Sequence, residues 1–361
     1  MWFFQYNSSN IKKIVKEEVS MIRFDCDYLE GAHPAILQKL VETNMDQTVG
    51  YGEDPYCAAA AEKIRKVCGT PDAAVHFLVG GTQTNTTVIY SILRPHEGVL
   101  SVTTGHINCH EVNAIEGTGH KVIAVPGENG KLTPKAIEDA YLSWKNDFSW
   151  EHIVKPGMVY LSQSTETGTL YTKAELEAIS AICRKYKLPL FLDGARLGYA
   201  LAADGNDLTL PDIARLCDVF YIGGTKQGAL FGEAVVIPDP TFIDSFRSLI
   251  KQRGGLLAKG RLLGIQFDVL FTDDLYFKLS QHAIDLAKKI KKGFEDKGYD
   301  FMCESVTNQQ FPILSYEQIE RLKKDFSFDD YGPADENHRY VRFCTSWATT
   351  EENVNKLLET I

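Results

Sequence analysis

The sequence predicts an α/β protein with a large, mainly parallel β-sheet sandwiched by helices and a smaller C-terminal α+β domain. Short apolar runs of strand length alternate with helical patterns, which is typical of parallel β-α-β units. After about residue 260, a long amphipathic helix and two strand–helix units replace this alternation. We therefore divide the chain into an N-terminal arm or extension (1–21), a large domain (22–260) and a small domain (261–361).

Helix-start signals separate the apolar runs of the large domain. Thr133-Pro134 offers an N-cap followed by proline at the first helical position, and Thr172 with Glu175 reads as a capping box. The runs between such signals are the predicted strands: Val75–Val79, Gly98–Val102, Lys121–Val125, Met158–Ser162, Pro189–Leu192, Val219–Ile222 and Ala234–Ile237.

In the small domain, capping boxes at Ser315 with Gln318 and at Thr349 with Glu352 are expected to open the last two helices. The long helix before them shows an apolar face with helical spacing. That face consists of Leu279, Ala283, Leu286, Ile290 and Phe294.

The composition excludes several classes of protein. A net charge of −10 and a pI of about 5.5 weigh against a general nucleic-acid binder. No run approaches the ~18 apolar residues of a membrane span. The eight cysteines form no CxxC pair, so we expect reduced thiols in a cytoplasmic protein and no metal site.

Two charged residues follow neighbouring predicted strands. Asp193 ends the run LPLFLD, and Lys226 follows DVFYIGGT, 33 residues later. Ligands of open parallel sheets bind at the carboxyl ends of the strands. A lysine that forms a Schiff base with an aldehyde, and a carboxylate that keeps a ring nitrogen protonated, are what pyridoxal phosphate needs. A salt bridge between the two strand ends is the alternative.

A phosphate site is predicted where VHFLVGGTQTN passes from a strand into a helix. Free N–H groups at the helix start, with the hydroxyl of Thr82 and close backbone approach at Gly81, favour an anion. Thr225, beside the lysine, offers another hydroxyl. The motif is neither a nucleotide P-loop nor a dinucleotide fingerprint.

Histidines and arginines supply the remaining candidates. The segment GHINCHEVNAIEGTGH contains His106 and His110, and we favour His110 as a ring-stacking residue or general base. Arg342 lies in an apolar strand and, with Arg196, could hold a substrate carboxylate. An internal ion pair is the alternative for Arg342.

Together these segments resemble the threonine aldolase and β-eliminating lyase family. The resemblance rests on GGTKQGALFGEAVV, LFLDGARLGYA, GGTQTN, the histidine-to-IEGTG segment and YGEDPY, and spans roughly residues 22–350. It implies the aspartate-aminotransferase fold (fold type I), pyridoxal phosphate as cofactor, an amino-acid substrate and a homodimer or homotetramer with its active site at the dimer interface. It implies that Lys226 and Asp193 contact the cofactor, that Gly81, Thr82 and Gln83 hold its phosphate, and that His110 stacks on its ring. It also implies that Arg196 and Arg342 bind the substrate and that Arg261 contacts the phosphate in the neighbouring subunit.

The sequence departs from the family pattern at three places. Where the family has an RSDT-like start, this chain reads FDCDY, which offers Cys26 or Tyr28 to the substrate. QSTETG replaces E-N-T-H and offers Gln163 or Ser164 to the phenolic oxygen of the cofactor. The family histidine precedes the glutamate of E-x-GG by five residues, whereas His110 precedes Glu116 by six.

The resemblance implies aldol cleavage of β-hydroxy-α-amino acids, as in a low-specificity L-threonine aldolase, with His110 or a water as base. A β-eliminating lyase or an aminotransferase acting on another amino acid is the alternative. Outside this chemistry, a nicotinamide-dependent oxidoreductase would leave Lys226 unexplained, and a catalytically silent relative would not need both Lys226 and Asp193.

Overall fold

The computed structural model describes residues 21–361. The predicted N-terminal arm, apart from Met21, lies outside these residues. Within them, no helix combines the length and the apolarity that crossing a bilayer requires.

All seven predicted strands of the large sheet form, with bounds that differ from the predictions by at most three residues. The strands are β1 (Ile22–Arg23), β2 (Ala74–Leu78), β3 (Glu97–Val102), β4 (Lys121–Val125), β5 (Lys155–Ser162), β6 (Leu190–Asp193), β7 (Val219–Gly223), β8 (Glu233–Ile237), β9 (Gln309–Gln310), β10 (Ile313–Ser315), β11 (Phe326–Ser327), β12 (Asp329–Pro333) and β13 (His338–Cys344).

The large sheet has the strand order β2-β8-β7-β6-β5-β3-β4. Strands β3 to β7 pair in parallel, whereas β8 runs antiparallel to both of its neighbours, β7 and β2. Because β2 and β7 are both antiparallel to β8, they run in the same direction as each other. The mainly parallel sheet is therefore confirmed, and the carboxyl ends of β2, β5, β6 and β7 meet at one edge.

Both faces of this sheet are buried, as the alternation of side chains along its central strands requires. In β6, Leu190 and Leu192 enter the apolar core on one face, and Phe191 enters the core on the other. In β7, Phe220 enters the same core as Leu190 and Leu192, and Tyr221 enters the same core as Phe191. Helices cover both faces, which explains why these strands are continuous apolar runs.

The helices alternate with these strands and then dominate the C-terminal part. They are α1 (Pro34–Glu42), α2 (Pro55–Cys68), α3 (Gly81–Ile92), α4 (His106–Cys109), α5 (Pro134–Asn146), α6 (Lys173–Tyr186), α7 (Leu197–Ala202), α8 (Leu210–Leu216), α9 (Phe246–Gln252), α10 (Arg261–Leu270), α11 (Leu275–Asp296), α12 (Tyr316–Leu322) and α13 (Glu351–Thr360).

Three predicted helix starts are confirmed. Thr133 caps α5, while Thr172 with Glu175 and Ser315 with Gln318 form complete capping boxes. These caps satisfy backbone N–H groups that have no partner within the helix.

The predicted capping box at Thr349 and Glu352 is wrong by one residue. Thr350 caps α13 and accepts a hydrogen bond from the backbone N–H of Asn353. The hydroxyl of Thr349 instead accepts the backbone N–H of Ser346 in the preceding turn. That bond ties Thr349 to the loop and leaves the cap to its neighbour.

The division at residue 260 stays a prediction, and the large core extends beyond it. Phe267 of α10 and Tyr276 of α11 are buried with the large sheet. In the other direction, Phe24 is buried in the core of the C-terminal part, and β1 pairs in parallel with β11. The start of the described chain therefore packs against its C-terminal region.

Candidate active site

Two adjoining cavities lie at the edge where β2, β5, β6 and β7 end. The inner cavity, about 270 Å³, is bordered by the turns that follow these strands. The outer cavity, about 370 Å³, opens toward β12 and β13. Five residues line both cavities: Tyr28, His106, Glu166, Arg196 and Lys226.

Lys226 lies in the turn after β7 and lines both cavities. Burial lowers the pKa of its amine, and the nearby positive charge of Arg196 lowers it further. The hydroxyl of Tyr199 donates a hydrogen bond to the Lys226 carbonyl and fixes the turn. A buried lysine with a lowered pKa has more of the neutral, nucleophilic amine.

Asp193 ends β6 on the wall of the inner cavity, and four donors hold its carboxylate. Oδ2 accepts hydrogen bonds from Tyr160 Oη at 2.6 Å and Asn85 Nδ2 at 3.1 Å. Oδ1 accepts from Tyr221 Oη and from the backbone N–H of Ala195. Burial, followed by the charge of Asp193, raises the pKa of both tyrosines well above its ordinary value, so they remain donors. This network fixes the orientation of the Asp193 carboxylate.

The glycine turn after β2 forms the opposite end of the inner cavity. Helix α3 begins at Gly81, and its first turn presents backbone N–H groups beside the hydroxyl of Thr82. A Cβ at Gly81 would lie 3.3 Å from Tyr221 Oη, so the close fit at this point favours glycine. The combination of amide donors and a positive helix end suits an anion.

Thr225 lines this end of the cavity together with Glu233. The Thr225 hydroxyl donates to Glu233 Oε1 at 2.8 Å, and Gly224 N donates to Oε2 at 3.1 Å. Burial raises the pKa of Glu233 to about 8, although these hydrogen bonds and Lys226 oppose the shift. Near neutral pH this carboxyl therefore keeps its proton and does not repel an anion.

Two predicted cofactor contacts, Gln83 and Gln163, do not line either cavity. Gln83 Oε1 accepts the backbone N–H of Val79, and its amide nitrogen lies 3.5 Å from the Arg253 carbonyl. The Gln163 amide bonds in both directions with the Tyr171 backbone. Backbone groups occupy both amides, so a cofactor contact of Gln83 or Gln163 stays a prediction, whereas Ser164 lines the inner cavity.

His106, rather than the favoured His110, lines the inner cavity. His106 lines the inner cavity beside Asp193, whereas His110 is exposed and lines only the outer cavity. His106 Nδ1 lies 2.7 Å from Glu111 Oε1, which also accepts from Asn85. Burial and the charges of His106 and Arg342 lower the pKa of His110. The predicted ring-stacking role of His110 stays a prediction, and His106 lies nearer to the ends of the strands.

A sequence signal could have identified His106. It precedes Glu111 by five residues, which is the family spacing. Counting from Glu116, which follows in the next turn, gives His110 at six residues instead. Asn85 then links Glu111 to Asp193, so one buried chain of hydrogen bonds joins the histidine to the carboxylate at the end of β6.

Arg196 forms a buried ion pair that the sequence did not reveal. Its Nε lies 2.7 Å from Asp27 Oδ2, and its Nη2 lies 3.0 Å from Asp27 Oδ1. Burial opposes ionisation of Asp27, but the charges of Arg196 and Lys226 outweigh it and lower its pKa to about 2. Of the residues predicted from FDCDY, Tyr28 lines both cavities and Cys26 lines neither. Asp27, between them, is the residue that orients Arg196.

Arg342 lies in β13 on the wall of the outer cavity. Its guanidinium forms an ion pair with Asp329 and donates hydrogen bonds to Gln309 Oε1 and the Asp25 carbonyl. The internal ion pair considered for Arg342 is therefore present. Its Nε is buried and has no partner among residues 21–361.

Arg261 does not line either cavity. Its two terminal nitrogens donate to the backbone carbonyls of Asp46 and Asn44. Its predicted contact with a neighbouring subunit's phosphate stays a prediction.

Comparison with known proteins indicates the family of this chain. The family model for β-eliminating lyases matches residues 24–316. A low-specificity L-threonine aldolase from Pseudomonas aeruginosa is 32% identical over 346 residues, covering 94% of this chain and 96% of that protein. A low-specificity L-threonine aldolase from a Pseudomonas species is 31% identical and covers 93% of this chain and 95% of its own length.

Solved structures agree with the sequence relatives. A threonine aldolase structure from Leishmania major superposes with a TM-score of 0.91 at 48% identity and covers 94% of this chain and 98% of its own. A mutant aspartate aminotransferase from Thermus thermophilus has a TM-score of 0.70 at 16% identity, covers 98% of this chain and 94% of its own, and shows the fold alone. The predicted fold class is confirmed. The chain belongs to the β-eliminating lyase family, which includes threonine aldolases.

Proposed function

We propose that this protein is a low-specificity L-threonine aldolase that uses pyridoxal phosphate to cleave β-hydroxy-α-amino acids into glycine and an aldehyde. The observation that carries the proposal is the inner cavity. It combines a buried amine (Lys226), a fixed carboxylate (Asp193) and the start of α3. The names of the sequence relatives support the same activity.

The residues present fit the cofactor. Lys226 would hold its aldehyde carbon, and Asp193, already oriented by two tyrosines and Asn85, would face its ring nitrogen. Gly81 and Thr82 would hold the phosphate at the start of α3. When bound, pyridoxal phosphate supplies an electron-withdrawing ring that accepts the electron pair of a bond broken at Cα.

The side chains of the chain then orient the substrate. Arg196, which Asp27 holds in place, points its guanidinium to the junction of the two cavities and would bind the substrate carboxylate. Arg342 adds a second positive charge on the outer wall. A carboxylate held at this wall directs the substrate side chain toward the outer cavity. Its polar lining would accept a range of β-substituents.

The group that accepts the proton of the β-hydroxyl must lie near the junction. His110, which the sequence analysis favoured as base, lines only the outer cavity and would act through a water. His106 lines both cavities, but Glu111 engages its Nδ1. Its ring would instead form a wall for the cofactor.

Assembly is part of the same proposal. The resemblance implies a homodimer or homotetramer, and Arg261 would then reach the neighbour's phosphate. We also infer a cytoplasmic enzyme, since none of its eight cysteines is paired in a disulfide among residues 21–361.

Product analysis tests the activity. The purified protein would be incubated with pyridoxal phosphate and either L-threonine or L-phenylserine, and the products would be identified by NMR. Glycine together with acetaldehyde or benzaldehyde is the expected result. A 2-oxo acid with ammonia would assign the protein to β-elimination instead. An amino group transferred to the cofactor would indicate an aminotransferase.

A further inference from the structure

Glu166 is a buried carboxyl group at the junction of the two cavities. It follows β5 in the loop 163–172, and it lines both the inner and the outer cavity. Of the five residues shared by the cavities, Lys226 and Arg196 would serve the cofactor and the substrate carboxylate. Tyr28, His106 and Glu166 remain as polar groups for a hydroxyl at the β-carbon.

The hydrogen bonds of Glu166 satisfy only one of its oxygens. Oε1 accepts from Ser162 Oγ at 2.8 Å and from the backbone N–H of His106 at 3.0 Å. Oε2 is buried and has no partner among residues 21–361. A buried carboxyl oxygen without a partner is costly, and in an active site it commonly serves a ligand.

The other two candidates suit proton transfer less well. Tyr28 is 55% exposed, and burial of its remaining surface raises its pKa, so its phenol holds its proton. His106 is held by Glu111 and lines the inner cavity as a wall. Glu166 is fixed at one oxygen and free at the other, as a proton acceptor must be.

We propose that Glu166 accepts the proton of the substrate β-hydroxyl during aldol cleavage, an inference that rests on the proposed aldolase activity. The O–H bond breaks and its proton moves to Oε2. The electron pair of that bond completes the C=O bond of the aldehyde. The Cα–Cβ bond breaks and leaves its electron pair with Cα, which takes a proton from water to give glycine, while Glu166 returns its proton to water.

The surroundings of Glu166 shift its pKa upward, toward the pH at which the enzyme works. Burial raises the pKa of this carboxyl, and the charge of Asp193 raises it further, whereas Ser162 and His106 lower it. A general base is most effective when its pKa lies near the working pH. The charged groups that share its cavities are Asp193, Lys226 and Arg196 on the inner side, and Arg342, Asp329 and His110 on the outer side.

The decisive variant is Glu166→Gln, which keeps an oxygen acceptor for Ser162 and for the His106 N–H. Two reactions would be compared in the same holoenzyme: cleavage of L-threonine, and exchange of the Cα proton of glycine in D₂O. Glycine has no β-hydroxyl, so its exchange needs the cofactor site but no hydroxyl base. We expect cleavage to fall about 10²- to 10⁴-fold, with glycine exchange within about threefold of wild type.

A second readout does not depend on turnover. The difference infrared spectrum of the cofactor-free wild type minus cofactor-free Glu166→Gln should show the band of a protonated carboxyl. That band should persist at pH values at which ordinary glutamates are already ionised. In the wild-type holoenzyme, kcat/KM for threonine should fall as the pH drops through the same titration. Glu166→Asp should restore part of the cleavage rate.

Several outcomes would overturn the assignment. Cleavage at a near-normal rate in Glu166→Gln would exclude Glu166 as the base, and a parallel loss of glycine exchange would place its role at the cofactor. A selective loss of cleavage in His110→Asn, with normal cleavage in Glu166→Gln, would return the role to the histidine. If the wild-type protein exchanges glycine but cleaves no β-hydroxy-amino acid, the proposed function itself fails.

Discussion

Arg196 and Asp27 form a two-point ion pair in which the carboxylate is fully buried and the guanidinium is 13% exposed. The pair fixes the plane of the guanidinium at the junction of the two cavities. Asn308 donates a further hydrogen bond to Asp27 at 2.9 Å. Under the proposed function, the orientation of the substrate's carboxylate would therefore depend on an acidic residue that does not line either cavity.

Asp27→Asn should raise KM for L-threonine about tenfold, because a neutral amide holds the guanidinium less firmly than a carboxylate does. Affinity for pyridoxal phosphate should not change. Steady-state kinetics and a cofactor titration measure the two effects. Asp330→Asn, which removes the partner of Arg339 in an exposed pair, is the matched control. An unchanged KM in Asp27→Asn would show that Arg196 needs no such support.

Lys226→Ala should abolish turnover and the covalent attachment of the cofactor. The measurement is borohydride reduction of the holoenzyme followed by mass spectrometry of its peptides. The added mass should appear on the peptide containing Lys226 in wild type and nowhere in the variant. Lys131→Ala, a lysine outside both cavities, should retain the label. Turnover that survives in Lys226→Ala would refute the assignment of the cofactor site.

Asp193→Asn should preserve the fold but lower kcat about 10²- to 10³-fold, because a neutral amide cannot stabilise a protonated ring nitrogen. Tyr160 and Tyr221 would keep hydrogen-bonding partners in the variant, so its melting temperature should change little. Calorimetry and initial rates separate the two effects. Near-normal activity would contradict the role given to this carboxylate.

His106→Ala and His110→Ala form a matched pair that tests which histidine contacts the cofactor. The first should weaken pyridoxal phosphate binding about fivefold, since an aromatic contact contributes roughly 1 kcal/mol. The second should leave that affinity unchanged, because His110 lines only the outer cavity. Absorbance titrations of both apoproteins give the comparison. The reverse order would restore the assignment made from the sequence.

His76 of β2 should make stability depend on pH. Burial, with Arg247 and Arg65, lowers its pKa to about 4, below the ~6.5 of an unfolded histidine. The contribution of neutral His76 to the free energy of unfolding is complete above pH ~6.5 and is lost as the pH falls toward 4. Between pH 7 and 5, the free energy of unfolding should fall by about 2 kcal/mol at most, since some of the side chain stays exposed.

Denaturant titrations at both pH values would measure this loss, and His76→Phe should remove it. Phenylalanine fits the edge-on contact that His76 makes with Phe246, where the ring centroids lie 5.1 Å apart. The same pH dependence in variant and wild type would show that other groups cause it.

The sequence predicted the parts of the site that lie at strand ends. Asp193 and Lys226 follow strongly apolar runs, and parallel strands bring such ends together whatever the detailed packing. Asp27 could not be predicted in the same way. It lies in irregular chain, and Arg196 is 169 residues away, so only the assembled structure brings the two together.

Buried acids were the main residues that the sequence missed. Glu111 and Glu166 resemble surface acids in a sequence, because acids usually lie on the surface. Their burial follows from how loops close over the sheet edge, which no local pattern encodes. Gln83 and Gln163 were predicted from their places beside the motifs, and no local pattern showed that their amides bond to backbone groups.

The contacts of residues 24 and 25 with β13 also affect when this enzyme can become active during synthesis. The Asp25 carbonyl accepts a hydrogen bond from Arg342, 317 positions away, and Cys344 N donates to the Phe24 carbonyl. A nascent chain can build the large sheet while its C-terminal residues are still in the ribosome. Under the proposed function, the wall that would bind the substrate cannot close until residue 344 has emerged. A truncated product lacking β13 could therefore resemble the enzyme in its large sheet, yet it would lack the pocket that selects an amino acid.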